Sequence, residues 1–229
     1  TAAFLIGLRT KGETVDEIAG LARTMREFAR PVAAERGDLL DTAGTGGGTL
    51  TFNVSTTAAL VAAAAGCPVA KHGNRSSTSR SGSADVLEAL GARIDLEPEA
   101  VATCIDELGF GFMFAPVHHP AMRHVVPVRK ALAVRTIFNF LGPLTNPAGA
   151  THQIIGVSDP GYLEVMAEAL ARLGGQSALV VSSEDGLDEI SVSAPTRVAE
   201  LRAGRIERFT VTPEEFGVER APVEELGAG

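Results

Sequence analysis

Leu39-Leu40-Asp41-Thr42-Ala43-Gly44-Thr45-Gly46-Gly47-Gly48-Thr49 is followed by Asn53-Val54-Ser55-Thr56 and the apolar run 57–65. Residues 39–43 read as a buried strand, 44–49 as a glycine loop, and Asn53-Val54-Ser55-Thr56 as the opening of a helix over 57–65. Strand, glycine loop and helix in this order bring backbone amides and a helix N-terminus against an anion, which places the chain in the α/β class. The loop is not the dinucleotide fingerprint, because the third glycine would fall at Thr49. It is not a Walker loop either, since no Gly-Lys-Ser/Thr follows.

Outward from this unit the pattern repeats. Residues 68–71 read as a short strand that feeds the polar loop Lys71-His72-Gly73-Asn74-Arg75-Ser76-Ser77-Thr78-Ser79-Arg80-Ser81-Gly82-Ser83. Cations interleaved with hydroxyl and amide groups are what a phosphate-rich ligand needs. A helix over 84–90, a strand over 92–96, a helix from Glu97-Pro98-Glu99 to Gly109 and a strand over 110–115 follow, the last delivering His118-His119-Pro120. The stretch 121–140 reads as helical, broken by Gly142-Pro143, with a turn at Asn146-Pro147. Strands at 153–157 and 177–181 flank a helix over 162–173. An acidic turn, Ser183 to Glu189, precedes short antiparallel strands over 190–211 with a turn at Gly204, and 213–216 starts a helix. Alternating strands and helices predict a mainly parallel sheet with helices on both faces, and ligands on such sheets collect at the carboxyl ends of the strands. The glycine loop, the Lys71 loop, His119 and the acidic turn each follow a strand and so share one cleft.

Before this domain, residues 2–9 read as the end of an apolar helix stopped near Gly12. Thr14-Val15-Asp16-Glu17 is a capping box that opens a second helix, with Ile18, Leu21, Ala22, Met25 and Phe28 on one buried face and Pro31 at its end. Residues 32–38 read as a linker.

The chain has 229 residues, is 45% hydrophobic and 21% charged, and carries a formal net charge of −8. That balance excludes a general nucleic-acid or membrane-surface binder, although a local basic pocket is compatible with it. Two cysteines, Cys67 and Cys104, in apolar surroundings fit core thiols of a reducing, cytoplasmic compartment rather than a disulfide framework. No apolar run reaches membrane-spanning length.

Taken together, Gly44-Thr45-Gly46-Gly47, Asn53-Val54-Ser55-Thr56, Lys71-His72-Gly73-Asn74-Arg75-Ser76, Ser81-Gly82-Ser83-Ala84-Asp85, Pro127-Val128-Arg129, the run Arg135 to Pro147 and Asp185-Gly186-Leu187-Asp188-Glu189 resemble one family, anthranilate phosphoribosyltransferase. The resemblance covers essentially the whole chain. It implies a small helical N-terminal domain (1–31, with 121–142 adding to it) on a large α/β domain (32–229), homodimers formed through the helical part, and a chain short at both ends. It implies transfer of the phosphoribosyl group of phosphoribosyl pyrophosphate to the amine of anthranilate, assisted by Mg2+, as the second step of tryptophan biosynthesis. Carried over residue by residue, Gly44, Thr45, Gly46, Gly47, Thr51, Asn53, Ser55, Thr56, Lys71, Asn74, Arg75, Ser76, Ser77 and Ser83 bind phosphoribosyl pyrophosphate. Gly44, His72, Asn74, His119, Arg129, Gly142 and Pro143 line the anthranilate pocket, and Ser55, Asp188 and Glu189 hold the metal. No general base is implied: Lys71, Asn74 and Arg129 act by positioning. The sequence departs from the family pattern at Gly48, where an Asp is usual, in a loop one residue shorter. Two alternatives use the same residues differently: a pyrimidine nucleoside phosphorylase, and a non-catalytic relative that binds nucleic acid or another phosphate ligand.

Overall fold

The computed structural model describes residues 1–48, 51–76 and 81–227. Its centre is a seven-stranded sheet in the order β3-β2-β1-β4-β5-β6-β7. The strands are β1 (Leu40–Gly44), β2 (Val69–Gly73), β3 (Phe110–Phe114), β4 (His152–Gly156), β5 (Ser177–Ser183), β6 (Thr196–Arg202) and β7 (Arg205–Val211). The pairs from β3 to β5 are parallel, while β5–β6 and β6–β7 are antiparallel. β1 has β2 on one side and β4 on the other, so the connection after β1 runs one way and later strands add on the opposite side. The crevice at this switch point is where open α/β sheets take ligands.

Alternation along each strand divides the helices between the two faces. On one face, α3 (Val54–Ala64) sits beside Lys71 and Thr42, and α4 (Ser83–Ala89) packs with Ile94 on Phe112. On the other face, α5 (Pro98–Leu108) covers Ala70 and Met113. There too, α9 (Leu163–Arg172) covers Ile155, Val180 and Leu201 in one core, which also holds Leu5, Leu8, Ile18 and Ala22 of α1 (Ala2–Lys11) and α2 (Val15–Glu27). A short turn of helix, α6 (Ala115–His118), leads from β3 to a 3-10 turn, Pro120–His124. α7 (Val126–Leu132) and α8 (Phe138–Leu144) complete this side.

The capping box at Thr14 is present: its hydroxyl accepts from the Glu17 amide at 3.3 Å and the Glu17 carboxylate accepts from the Thr14 amide at 3.0 Å. Other sequence expectations are corrected. Phe28 is 65% exposed, because α2 ends at Glu27 and the expected apolar stripe outruns the helix. Residues 32–38 are not a free tether: Val32 is buried in the α5 core, and the Glu35 and Arg36 amides donate to Asp106. α3 begins at Val54, a turn earlier than expected. Residues 92–96 form no strand; the Ala92 amide turns back to the Leu87 carbonyl and Ile94 plugs the α4 cluster. Gly142-Pro143 lies inside α8 instead of breaking it. A proline one residue from the helix end removes a single terminal hydrogen bond, and Thr145 closes the turn through its hydroxyl to the Leu141 carbonyl at 2.9 Å. Residues 213–216 make only one 3-10 turn.

Candidate active site

Loops after β1, β2, β4 and β5, and the stretch after α6, meet at the carboxyl end of the sheet. Gly46 and Gly47 adopt φ +67° and +92°, which side-chain-bearing residues rarely do. This turn is clamped from outside: the Arg135 guanidinium and the Ser158 hydroxyl both donate to the Gly46 carbonyl, the latter at 3.1 Å. A Cβ on Gly47 would lie 3.1 Å from Arg135 Cζ, so the clamp and the glycine require each other.

Asp188 closes the loop from inside. A Cβ on Gly44 would sit 3.2 Å from Asp188 Oδ2, and one on Gly48 would overlap its Oδ1. Any side chain at position 48 would therefore meet Asp188. Burial raises the Asp188 carboxyl above its ordinary range, against the opposing Arg135 charge and Gly46 amide. Burial, and then the Asp188 charge, push Glu189 up to about 7. Two half-buried carboxylates that penalise each other are a donor set a divalent cation relieves. Among the described residues no cluster of three or more His, Cys, Asp or Glu is arranged for a metal. Few carboxylates completed by substrate oxygens is how Mg2+ is commonly held, so the residues present fit that ion.

Lys71 is 1% exposed, and its Nζ donates to the Thr42 carbonyl at 2.6 Å, the Thr42 hydroxyl at 3.1 Å and Ser55 Oγ at 3.4 Å. Burial lowers it to about 8, with the charges of Asp41 and Glu189 holding it up. The next residue, His72, points to the opposite face. Its Nδ1 donates to the Gly142 carbonyl at 3.1 Å, and its ring lies 4.9 Å from that of His119. Burial drives His72 down to about 3 and His119 to about 4, so both rings are neutral near pH 7. The buried Nε2 atoms of both rings and the Thr45 hydroxyl have no hydrogen-bond partner among the described residues. Unpartnered buried polar atoms are rare in folded proteins, and three at one sheet end mark a ligand site.

Beside His119 lies an apolar cavity of about 180 Å³, walled by Met25 of α2, Phe28 just past its end, Met122, and Phe138 and Leu141 of α8. Arg129 does not line it; its guanidinium stacks 5.6 Å over the Phe138 ring at the rim. Pro143 is buried, with its carbonyl taking the Gln153 amide at 2.7 Å.

The remaining expected phosphate donors are less convergent. Arg75 turns outward to Asp85 and Glu88 at 2.8 and 2.7 Å, and Asn74 is exposed and accepts from the Arg75 amide. The Ser76 amide donates to Asp85 at 3.1 Å. Thr56 donates to Ser83 at 3.0 Å, Asn53 to Ser81 at 2.8 Å, and the Thr51 hydroxyl to the Phe52 carbonyl at 3.0 Å. Ser77 lies outside the described residues. Sequence reasoning did not single out Thr42, Arg135 and Ser158 as site residues. Arg135 stood in a quoted motif, but nothing in sequence says which carbonyl it grips.

Comparison with known proteins decides the family. Residues 36–229 match the model of the glycosyl transferase family, a/b domain, and residues 1–29 that of its helical bundle domain. Anthranilate phosphoribosyltransferase from Symbiobacterium thermophilum is 57% identical over 229 residues, 100% of this chain and 67% of that protein. This chain belongs to the anthranilate phosphoribosyltransferase family. The member from Chromohalobacter salexigens is 59% identical over 218 residues, covering 95% of this chain and 64% of its own length. Among solved structures, anthranilate phosphoribosyltransferase from Thermus thermophilus superposes with a TM-score of 0.93 at 55% identity, over 100% of this chain and 68% of that one. The Saccharomyces cerevisiae member, in complex with PRPP and Mg, superposes at 0.90 with 33% identity over 99% and 63%. The chain spans 64% to 66% of the length of the first curated relatives that it matches.

Proposed function

We propose that this chain carries the site for transfer of the 5-phosphoribosyl group from phosphoribosyl pyrophosphate to the amine of anthranilate. The observation that carries this reading is the pairing of two unlike half-sites at one sheet end. One is a clamped glycine turn with a buried lysine and two mutually strained carboxylates. The other is an apolar cavity edged by the neutral His119, whose ring lies against that of the neutral His72. The first suits a pyrophosphate and the second a flat arene.

In the transfer, the amine nitrogen bonds to the anomeric carbon as the bond to pyrophosphate breaks, and the proton of the ammonium so formed passes to water or to the released pyrophosphate. An arylamine is already neutral at pH 7, so positioning and charge stabilisation carry most of the rate. The amides of Gly46 and Gly47 approach the departing oxygens closely because no side chain intervenes. Asp188 and Glu189, with Ser55, would hold Mg2+, which neutralises pyrophosphate charge when bound. The unpartnered Nε2 atoms of His72 and His119 accept from the arylamine N–H, and Arg129 at the cavity rim pairs with the carboxylate. We further propose a cytoplasmic homodimer formed through residues 1–31, which α7 and α8 extend; Phe4 and Ile6 of α1 are exposed there, 58% and 37%.

Loss of anthranilate fluorescence that requires phosphoribosyl pyrophosphate and Mg2+ together tests the reaction. Arg129→Ala should raise the anthranilate KM about 10- to 100-fold, the worth of a charge-assisted hydrogen bond, and leave the KM for phosphoribosyl pyrophosphate nearly unchanged. An unchanged anthranilate KM rejects the pocket assignment.

A further inference from the structure

Beyond the support that its charge gives Lys71, Asp41 has no part in the chemistry above, yet it is a wholly buried carboxyl at the base of the site. It lies on β1 one residue before Thr42 and therefore faces α8 where Thr42 faces α3. Its Oδ1 accepts the His72 amide at 3.1 Å and its Oδ2 accepts Asn146 Nδ2 at 2.8 Å. The same Asn146 nitrogen donates to the Ala70 carbonyl at 2.8 Å, and its Oδ1 accepts the Ala148 amide at 2.9 Å. Asn146 is thus held in a single orientation. A carboxyl buried this deeply is costly to desolvate, and an apolar residue would serve a parallel strand's core as well. Of its neighbours on this face, Leu39 and Ala70 are apolar, and Gln153, in register on β4, spends its side-chain amide on the Pro143 carbonyl.

The bonds form a closed circuit. The His72 ring holds the Gly142 carbonyl; four residues on, Asn146 holds Asp41; Asp41 holds the His72 amide. Neither α8 nor the end of β2 can shift without breaking a member of this circuit. We propose that Asp41 is a positioning residue that, through Asn146, fixes the Gly142 carbonyl against the His72 ring and so holds that ring against His119 at the edge of the acceptor cavity. It deepens the phosphoribosyl-transfer reading and rests on it for its kinetic consequence.

The test is Asp41→Asn, which keeps the volume but sets an NH2 group against one of the two donors. Histidine 15N NMR on the wild-type chain should show a neutral His72 ring protonated at Nδ1. In the variant the Nε2–H tautomer should appear, and exchange of the His72 amide should accelerate at least about 100-fold while the Ile155 amide of β4 keeps its protection. With the proposed reaction running, Asn146→Ala, which keeps the Asp41 charge beside Lys71, should raise the anthranilate KM about tenfold or more and leave the KM for phosphoribosyl pyrophosphate within about threefold. If Asp41→Asn does not fold, Asn146→Ala opens the circuit from its other end and should give the same His72 signature. Wild-type His72 signals in the folded variant, equal acceleration at Ile155, or an unchanged anthranilate KM in active Asn146→Ala would each overturn the assignment. A wild-type chain that transfers nothing would sink the functional reading alone, because the NMR result still decides the role of Asp41.

Discussion

At the scale of single residues, the loop after β1 shows how one substitution is absorbed. The family pattern has an acid where this chain has Gly48, in a loop one residue shorter. In the structure Asp188 reaches up to Gly48, so a side chain at position 48 has nowhere to go. Gly48→Ala should therefore push Asp188 off the loop and weaken Mg2+ binding about tenfold or more, read by calorimetric titration with Mg2+ and pyrophosphate. Displacing a ligating group by about an ångström is enough for losses of that order. Gly48→Asp restores the residue type of the family, yet it should fail in the same way, since its Cβ meets the same oxygen. Mg2+ affinity equal to wild type in both variants would show that Asp188 does not set the metal site. Lys71 stands out in the sequence as a cation in a hydroxyl-rich loop, whereas His72 and the acidic pair are named only through the family motifs that contain them. The roles of Asp41, Arg135 and Asn146 could not be read there, because each matters through a partner 30 or more positions away.

Elements were legible where their cause is local. The α2 start needs only Thr14 and Glu17, four residues of chain, and the box closes as expected. Thr14→Ala should cost about 1 kcal/mol, the usual worth of an N-cap, and lower the Tm by about 2–4 °C for a chain of this size. Thr14→Ser should keep nearly all of that stability; a loss equal to that of alanine would mean that the hydroxyl is not the cause. Elements set by tertiary competition were misread. Residues 92–96 alternate apolar and polar like a strand, but Ile94 is more useful to the α4 cluster than to the sheet edge at β3. Gly142-Pro143 carries the signature of a break, but the helix there is already ending, so little is lost by continuing it. Both misreadings have one origin: periodicity and breaker residues describe a segment alone, and packing decided otherwise.

For the whole molecule, burying two neutral histidines at the base of the site couples the fold to pH. A histidine at about 3 in the folded chain and 6.5 in the unfolded one lets the unfolded state bind the extra proton between those values. Its contribution to stability is therefore intact above pH 6.5 and is lost as pH falls through the window from 6.5 to 3. For His72 the loss at pH 5 is about 2 kcal/mol relative to pH 8. Glu189 works in the opposite sense, its raised value favouring the folded state as pH falls from 7 toward 4.5, so the total pH profile is a difference of comparable terms. Comparison with one variant separates them. His72→Gln removes the titrating ring and leaves Glu189 in place. At pH 8 it should be less stable than wild type, because the bond to the Gly142 carbonyl is weakened. Between pH 8 and 5 that deficit should shrink by about 2 kcal/mol, measured by urea unfolding at each pH. A deficit that stays constant across the range would mean that His72 is not held neutral, and that its Nε2 is not available as an acceptor in the acceptor pocket.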